Sequence, residues 1–365
     1  MLETSPTVET DMERTTVNID TFISMFPQNK PDVQGGIIDS VTYGYLTIVL
    51  RVVTVPTLSV IAFCAGIINI MTFAKMNLNQ GVNKNLLILS VSDFLLSVVS
   101  VSCNCWYIVV WLDVNSAASI SAVEALYFSL RLLTFPLNVS LVVTTVIAVV
   151  RSLSVVMPFS FRDVATNRRQ VIAMGVGSAM SLGIPSYMIV NFYTVVFGAS
   201  WSERLKFMSL NCVTPINCTM FNVSRYMFFF TCLFIIIISM IFLTIALKKS
   251  SKFQTVAATS AAEKQSKAPS TREAQVVKTV VLVLAVYVVG NLPLMVLTIF
   301  RIVLPEVSST GRYRYESGLL EMMVGAGMNL NISLNTPIYF YCNSSFRTVL
   351  KSMIGQHSRA SKRTF

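Results

Sequence analysis

Residues 85–112 read NLLILSVSDFLLSVVSVSCNCWYIVVWL, a run whose only charged side chain is Asp93. A helix needs about 20 apolar residues to cross the roughly 30 Å hydrocarbon layer of a bilayer. The run is long enough, and it lacks the apolar and polar alternation that is typical of a membrane β-strand. It therefore predicts a membrane-spanning helix that carries one carboxylate.

Six further windows are also long and contain no Lys, Arg, Asp or Glu. They are Val52–Ala74, Leu132–Val150, Gln170–Phe192, Tyr226–Leu247, Thr279–Phe300 and Met322–Phe346. A helix satisfies all backbone hydrogen bonds within one segment, as the bilayer interior requires. We therefore predict an all-α membrane protein, a bundle of seven transmembrane helices.

The composition agrees with this fold class. Of the 365 residues, 54% are hydrophobic and 12% are charged, which excludes an ordinary soluble globule and a disordered chain. The single histidine, His357, lies near the C-terminus. Intramembrane proteolysis would need two aspartates, a Ser-His pair or a metal motif, and Asp93 alone supplies none of them. We expect that the protein is not an enzyme.

Basic residues in the connections predict the orientation. Most of the 28 Lys and Arg residues lie on the side that holds Lys75, Arg151 and the C-terminal tail. By the positive-inside rule that side is cytoplasmic, and the N-terminus is extracellular. The net charge of +11 is then mainly a topology signal, so we expect no nucleic-acid partner.

This topology divides the chain into three parts. Residues 1–43 are expected to form a disordered extracellular tail, 44–343 the transmembrane domain, and 344–365 a basic cytoplasmic end. The longest cytoplasmic loop is 248–275, which is rich in Ser, Thr, Ala and Lys. Residues 1–40 have no apolar signal-peptide core, so the first span is expected to act as the signal anchor.

Polar side chains inside the spans are expensive and therefore informative. Asp93 is the only carboxylate in the seven windows. Neutral side chains that could converge on it are Asn69, Ser140, Asn331 and Asn335. The alternative is that each of these side chains only joins one helix to another.

Five motifs, in order and each in its expected span, resemble those of the rhodopsin-like (class A) G-protein-coupled receptors. They are Gly66-Ile-Ile-Asn69, Leu89-Ser-Val-Ser-Asp93, Arg151 with its downstream Pro158, Tyr287-Val-Val-Gly290-Asn291-Leu-Pro293, and Asn331-Ile-Ser-Leu-Asn335-Thr-Pro337-Ile-Tyr339. Phe346-Arg347 stands where this family begins a short amphipathic eighth helix. The resemblance covers about residues 50–355.

The sequence also departs from the family pattern. The last motif has its proline displaced by one position, and unusual residues stand at Leu126, Val150, Ser152 and Asn291. Leu126 replaces a disulfide cysteine, and Asn291 replaces a tryptophan. These departures suggest a divergent invertebrate receptor of an orphan, chemosensory or peptide-receptor type.

The resemblance implies a switch that opens a cytoplasmic crevice for a heterotrimeric G protein when the sixth helix moves outward. Arg151 would pair with Glu273 at rest, although Arg151 could instead reach lipid phosphate. Pro293 would be a hinge or a static kink, because proline removes a backbone hydrogen bond. The other implied switch residues are Asn291, Asn335, Pro337 and Tyr339.

The resemblance implies one cation site as well. Its ligands would be Asp93, Ser140, Asn331 and Asn335. Hard oxygen donors around one carboxylate suit a small ion such as sodium. We expect no other cofactor and no other metal.

The resemblance also implies candidates for a ligand pocket, at positions that match those of the family. They are Arg131, Leu133, Asn291, Arg301 and Glu321. Leu133 stands where amine receptors carry an aspartate, so a monoamine ligand is not expected. The last span has no lysine for a retinal Schiff base, which excludes an opsin. The ligand is then an extracellular peptide, weakly favoured because the acidic tail would attract a basic one, or a small chemosensory molecule.

Four cysteines and two sequons lie on the predicted outer side. The cysteines are disulfide candidates whose pairing the sequence leaves open: Cys103, Cys105, Cys212 and Cys218. The sequons begin at Asn217 and Asn222 and predict glycosylation. We expect a multi-pass plasma-membrane protein in contact with lipid. A transporter or channel is the alternative, which the lack of internal repeats disfavours.

Overall fold

The chain is helical almost throughout the part that a computed structural model describes. The described residues are 37–78, 81–112, 117–156, 166, 168–181, 215–260, 269–304, 306–307 and 311–361. Turns and bends join the helices, and no β-strand occurs within these ranges. The prediction of an all-α protein is confirmed for this part of the chain.

Eight helices lie in these ranges. They are α1 (Ser40–Ala74), α2 (Gly81–Leu112), α3 (Ala117–Val156), α4 (168–181), α5 (Pro215–Ser260), α6 (Pro269–Val303), α7 (Arg314–Cys342) and α8 (Ser344–Ser361). Within α1, residues Ile48–Thr54 are π-helical. Asp39 caps the N-terminus of α1, since its carboxylate accepts from the Thr42 amide at 3.1 Å. The hydrogen bond from the Thr42 side chain holds the pKa of Asp39 below its ordinary value.

Five of the described helical segments are long and apolar enough to cross a membrane. They are Ser40–Ala74, Gly81–Leu112, Phe128–Val156, Val223–Lys248 and Gln275–Val303. They match five of the seven predicted windows, so the chain has the helices of a multi-pass membrane protein.

The other two predicted windows are not among these five segments. In the fourth, residues 182–192 lie outside the described part of the chain. The last window lies mostly within α7, which is 29 residues long but less apolar, because its amides Asn329, Asn331 and Asn335 lower its hydropathy. The predicted loop 248–275 is shorter than expected, since α5 continues to Ser260 and α6 begins at Pro269.

The helices form a closed ring. Helix α1 packs against α2, α2 against α3, and α3 against α5. Helices α5, α6 and α7 then follow in order, and α7 meets α1. Helix α3 also touches α6 across the ring, and α8 lies against α7 and α1. We refer to the two ends of the ring as the Ser40 end and the Ala74 end, after the first and last residues of α1.

The side chains have the distribution of a protein in lipid. Large apolar residues are exposed on several helices, including Ile61, Leu95, Phe234, Ile241 and Val289. Many polar side chains are buried between the helices instead. In a water-soluble protein the opposite arrangement would dominate. The exposed apolar faces therefore suit a hydrocarbon solvent.

An aromatic cluster holds the Ala74 end together. The Phe73 ring lies 5.0 Å from the Tyr339 ring and 5.0 Å from the Phe346 ring, and all three side chains are fully buried. Between α7 and α8, Asn343 is extended, and its side-chain oxygen accepts from the Phe346 amide at 3.1 Å. This N-cap starts α8 and directs Phe346 into the cluster.

Glycines permit two close helix contacts. A Cβ on Gly290 of α6 would lie 2.9 Å from the carbonyl oxygen of Gly327 in α7, and a Cβ on Gly66 of α1 would lie 3.1 Å from the Phe94 side chain of α2. Small residues allow helix backbones to approach in this way within membranes. These contacts help to set the register of the polar residues described next.

Candidate functional site

The central feature of the bundle is the carboxylate of Asp93, which binds two neighbouring helices. The Ser140 hydroxyl on α3 donates to one carboxylate oxygen at 2.8 Å, and the Asn335 amide on α7 donates to the other at 2.9 Å. Asp93 is 4% exposed. Helices α2, α3 and α7 therefore meet at one buried acid.

Among the described side chains, the partners of this acid are the neutral Ser140 and Asn335, and no cation pairs with it. A buried carboxylate loses the solvation of water, and two hydrogen bonds offset only part of that loss. Asp93 is therefore a position where an added positive charge would be favourable.

Two more oxygen atoms near this position are buried and unsatisfied. The side-chain carbonyls of Asn331 and Asn335 have no hydrogen-bond partner, although the two residues are only 7% and 2% exposed. Carboxylate and amide oxygens are hard ligands that suit a small alkali cation. The residues predicted to hold sodium thus fit that ion chemically. Within the described residues, no group of three or more His, Cys, Asp or Glu side chains could hold another metal.

Asn69, the remaining predicted donor, binds elsewhere. Its side-chain oxygen accepts from the Thr336 hydroxyl at 2.9 Å, which joins α1 to α7. Sequence reasoning missed Thr336, although it directly follows Asn335. This contact is the helix-joining role that was the alternative for Asn69.

A second polar network lies nearer the Ser40 end, and sequence reasoning missed it as well. Ser59 on α1 lies 3.1 Å from Ser100 on α2, and Ser100 accepts from Asn329 on α7 at 3.1 Å. Asn104 donates to Ser59 at 2.7 Å. Ser100 follows Asp93 by seven residues, two helical turns on the same face, which was the available signal. The network joins α1, α2 and α7, and two of these helices, α2 and α7, also meet at the acid.

Arg151 lies near the end of α3, at the Ala74 end of the bundle. Among the described side chains, none forms a hydrogen bond or an ion pair with its guanidinium. Its predicted partner Glu273 is on α6, but the Glu273 side chain is outside the described residues. The predicted pairing of these two residues stays a prediction.

The predicted hinge prolines are both inside helices. Pro293 lies in α6 and Pro337 in α7, and each helix continues on both sides of its proline. Tyr339 follows Pro337 by two residues. Its side chain is fully buried, and its hydroxyl has no hydrogen-bond partner. Asn291 is 2% exposed, and its amide nitrogen donates to the Tyr287 carbonyl at 2.8 Å.

A small cavity, with an enclosed volume of about 20 Å³, lies between α3, α5 and α6. Its lining includes Asn138, Arg225, Tyr226, Asn291 and Thr298. The enclosed part has room for about one water molecule. A small ligand would therefore need the three helices to move apart there.

Among the predicted ligand-pocket residues whose side chains are described, only Asn291 is in this lining. Arg301 pairs with Glu321 and donates to Ser317 at 3.0 Å, so it joins α6 to α7. Leu133 packs on a different apolar cluster, which contains Leu96 and Met328. The side chain of Arg131 is outside the described residues. Sequence reasoning missed Arg225, because one arginine near a helix start gives no distinctive pattern.

The predicted disulfide and glycosylation residues are described only in part. Cys103 is a buried free thiol and Cys105 an exposed one. Cys212 and the side chains of Cys218, Asn217 and Asn222 lie outside the described residues. The backbone of α5 begins at Pro215, so both sequons start on a helix rather than in a loop.

No protein-family model matches this sequence, and no curated protein matches it. A functional assignment must therefore come from the residues and their geometry. The two features that bear on it are the buried acid shared by three helices and the cavity between α3, α5 and α6.

Proposed function

We propose that the protein is a divergent class A G-protein-coupled receptor of the plasma membrane. It binds an extracellular ligand and activates a heterotrimeric G protein on the cytoplasmic side. Seven spans cross the bilayer, with α4 and α7 as the two beyond the five apolar segments. The Ser40 end is extracellular, because the Ala74 end carries most of the basic residues.

The observation that carries this proposal is the bonding of Asp93 to Ser140 and Asn335 inside a closed ring of helices. A ring of this kind can hold two packings of similar energy, since a few polar contacts connect α2, α3 and α7. The five ordered motifs support the family, and the packing supports a signalling bundle rather than a static scaffold.

A ligand that enters between α3, α5 and α6 and opens this cavity would act on α6. Asn291 lies in its lining and precedes Pro293 by two residues. Because a proline leaves one carbonyl of the preceding turn without its helical partner, α6 can bend there at low cost. Ligand contact with Asn291 would favour a different bend, and the half of α6 that precedes Pro293 would move at the Ala74 end.

At the Ala74 end, Arg151 is the residue that the G protein would contact. It is a cation at the inner end of α3 with no hydrogen bond or ion pair to another described side chain. Outward movement of α6 would expose it to the Gα subunit. Tyr339, buried beside Phe73 and Phe346, lies at the same end and would have to repack during this movement.

A sodium ion, where bound, would supply the positive charge that the buried acid lacks. Asp93 would bind it directly, and the free side-chain oxygens of Asn331 and Asn335 would complete the site. Ser140 would keep the carboxylate in place between α2 and α3. The residues then stabilise the packing in which these helices are close together.

A transporter or channel is the rival function, and one experiment separates the two. In cells expressing the chain, G-protein recruitment is measured by proximity luminescence, and ion or solute flux is measured in parallel. We expect recruitment without flux. Recruitment should fall with Arg151→Gln and persist with Arg314→Gln, the same change at the opposite end of the bundle. Flux without recruitment would reject the receptor assignment.

A further inference from the structure

One arginine within the apolar helix α1 has no acidic partner. Arg51 lies in the π-helical segment Ile48–Thr54, its side chain is half-buried, and its guanidinium lies 4.6 Å from the centre of the Tyr107 ring on α2. Among the described side chains, none forms an ion pair or a hydrogen bond with it. A charge within a span is costly without a partner, and π-helical segments are frequent at functional sites. An acid that reached Arg51 would therefore stabilise the bundle.

Glu321 on α7 is an acid close to Arg51. A Cβ on Gly325 of α7 would lie 4.0 Å from the Nη1 atom of Arg51. Glu321 precedes Gly325 by four residues, so the Cβ positions of the two residues are about 5–6 Å apart on one face of α7. The charges of Glu321 and Arg51 also both act on the Tyr43 hydroxyl, which lies against Gly318 on this face. Rotation of the Glu321 side chain can therefore bring its carboxylate to Arg51.

Glu321 has a different partner in the packing that the structure shows. Arg301 on α6 pairs with it and also donates to Ser317 at 3.0 Å. The pair is open to solvent, since 31% of the Arg301 side chain and 55% of the Glu321 side chain are exposed. An ion pair this exposed adds little stability, so Glu321 can leave Arg301 at a small cost in free energy. Helix α7 thus places one acid between an arginine on α6 and an arginine on α1.

We propose that Glu321 exchanges between these two arginines. It binds Arg301 when α6 and α7 are packed as they are here, and Arg51 when α6 shifts away from α7 at the Ser40 end. The exchange rests on the proposed receptor function and identifies a device that acts at its extracellular side. Because the carboxylate has a cation in both packings, the two differ less in energy, and a small bias from a ligand can shift their populations. The contact with Arg51 also holds α7 to α1 while α6 is displaced.

The test is a double-mutant cycle of melting temperatures, measured on the purified full-length chain in phosphatidylcholine nanodiscs. The cycle contains Arg51→Gln, Glu321→Gln and the double variant, and it is measured with and without Arg301→Gln. With Arg301 present, the two effects should add, because Glu321 is bound to Arg301. With Arg301→Gln, they should depart from additivity by about 2 °C, since Glu321 then binds Arg51.

Matched variants control this cycle. Arg314→Gln removes a cation at the same end, whose guanidinium lies 4.6 Å from the centre of the Tyr315 ring, and its effect should add to that of Glu321→Gln in both backgrounds. Arg51→Lys keeps the charge and should retain part of the non-additivity, so the test stays decisive if Arg51→Gln does not fold. At about 1 M NaCl the non-additivity should decrease, because salt screens accessible charges.

Basal signalling at matched surface expression tests the direction of the exchange. Arg301→Gln removes the ion pair of the packing seen here, so it should raise basal G-protein activation about two- to fivefold. Arg51→Gln removes the partner of the other packing, so it should lower basal activation. Changes in the same direction for both variants would overturn the exchange.

Additive melting temperatures of Arg51→Gln and Glu321→Gln in the Arg301→Gln chain would also overturn it, since Arg51 would then not take up the acid. The melting experiments contain no G protein. Additivity in a chain that activates a G protein would therefore reject the exchange alone. Non-additivity in a chain that never activates one would keep the contact of Glu321 with both arginines and reject the receptor function.

Discussion

Gly290 of α6 and Gly327 of α7 face each other so closely that a Cβ on Gly327 would collide with the Gly290 carbonyl oxygen. This contact is one residue away from Asn291, which lines the cavity. It therefore sets the distance between α6 and α7 at the level of Asn291, where ligand contact is proposed. It also tests the packing of the bundle without any assumption about function.

Gly327→Ala should destabilise the purified chain by about 1–3 kcal/mol, because the added methyl group has to push two backbones apart. Gly325→Ala is the matched control on the same helix, since a Cβ there would meet Val55 at an ordinary 3.6 Å. Thermal melting in detergent or nanodiscs measures both. Equal melting temperatures for the two variants would contradict the close contact of α6 and α7.

Asp93→Asn should remove any stabilisation that sodium gives and potassium does not. The variant keeps the size of the side chain and deletes the charge that would bind the ion. At ten times the dissociation constant, an ion that binds only the folded state stabilises it by about 1.4 kcal/mol. The measurement is the melting temperature in matched NaCl and KCl. A sodium-specific shift that survives the substitution rejects the site at Asp93.

Glu273→Ala should raise basal signalling if this residue pairs with Arg151 at rest. A fully exposed ion pair is worth about 0–1 kcal/mol and a partly buried one more, and Arg151 is half-buried, so the increase should be about fivefold or greater. Basal second-messenger levels at matched surface expression measure it. Glu306→Ala, an exposed acid near the opposite end, is the control. An unchanged basal level in the Glu273 variant would reject the pairing.

Asn343→Ala should loosen the start of α8, because the Phe346 amide loses its capping oxygen. Loss of such a cap costs about 1 kcal/mol, so amide exchange in the first turn of α8 should rise about fivefold. Hydrogen exchange with mass spectrometry measures this locally. Ser344→Ala is the control, since its exposed side chain does not cap the helix. Similar exchange in both variants would show that Phe346 packing alone holds α8.

The sequence predicted the helices and the central acid because both follow from the cost of polarity in a membrane. Asp93 was the only carboxylate in the windows, and such a group must find donors, so its convergence with Ser140 and Asn335 could be expected. The hydrogen-bond partners of Asn69 and Asn329 could not be predicted from the sequence. They depend on how far neighbouring helices slide along each other, and backbone contacts such as that of Gly66 with Phe94 set this only in the assembled bundle.

The cavity also could not be predicted from the sequence pattern. It needs three helices at defined distances, and its cation, Arg225, belongs to a stretch that read as the outer edge of a span. Arg301 and Glu321, which sequence position placed at a pocket mouth, bind each other between α6 and α7 instead. One sequence can indicate which polar residues face inward, but only packing decides which of them share a space.

Nucleotide exchange by purified G proteins tests the central claim most directly. The full chain, Arg151→Gln and Arg314→Gln are reconstituted in nanodiscs with one Gα subunit of each class and its βγ partner. We predict that the full chain accelerates exchange for at least one class, that Glu273→Ala accelerates it further, and that only Arg151→Gln abolishes it. Exchange no faster than with empty nanodiscs, for every class and for Glu273→Ala as well, would contradict the receptor function.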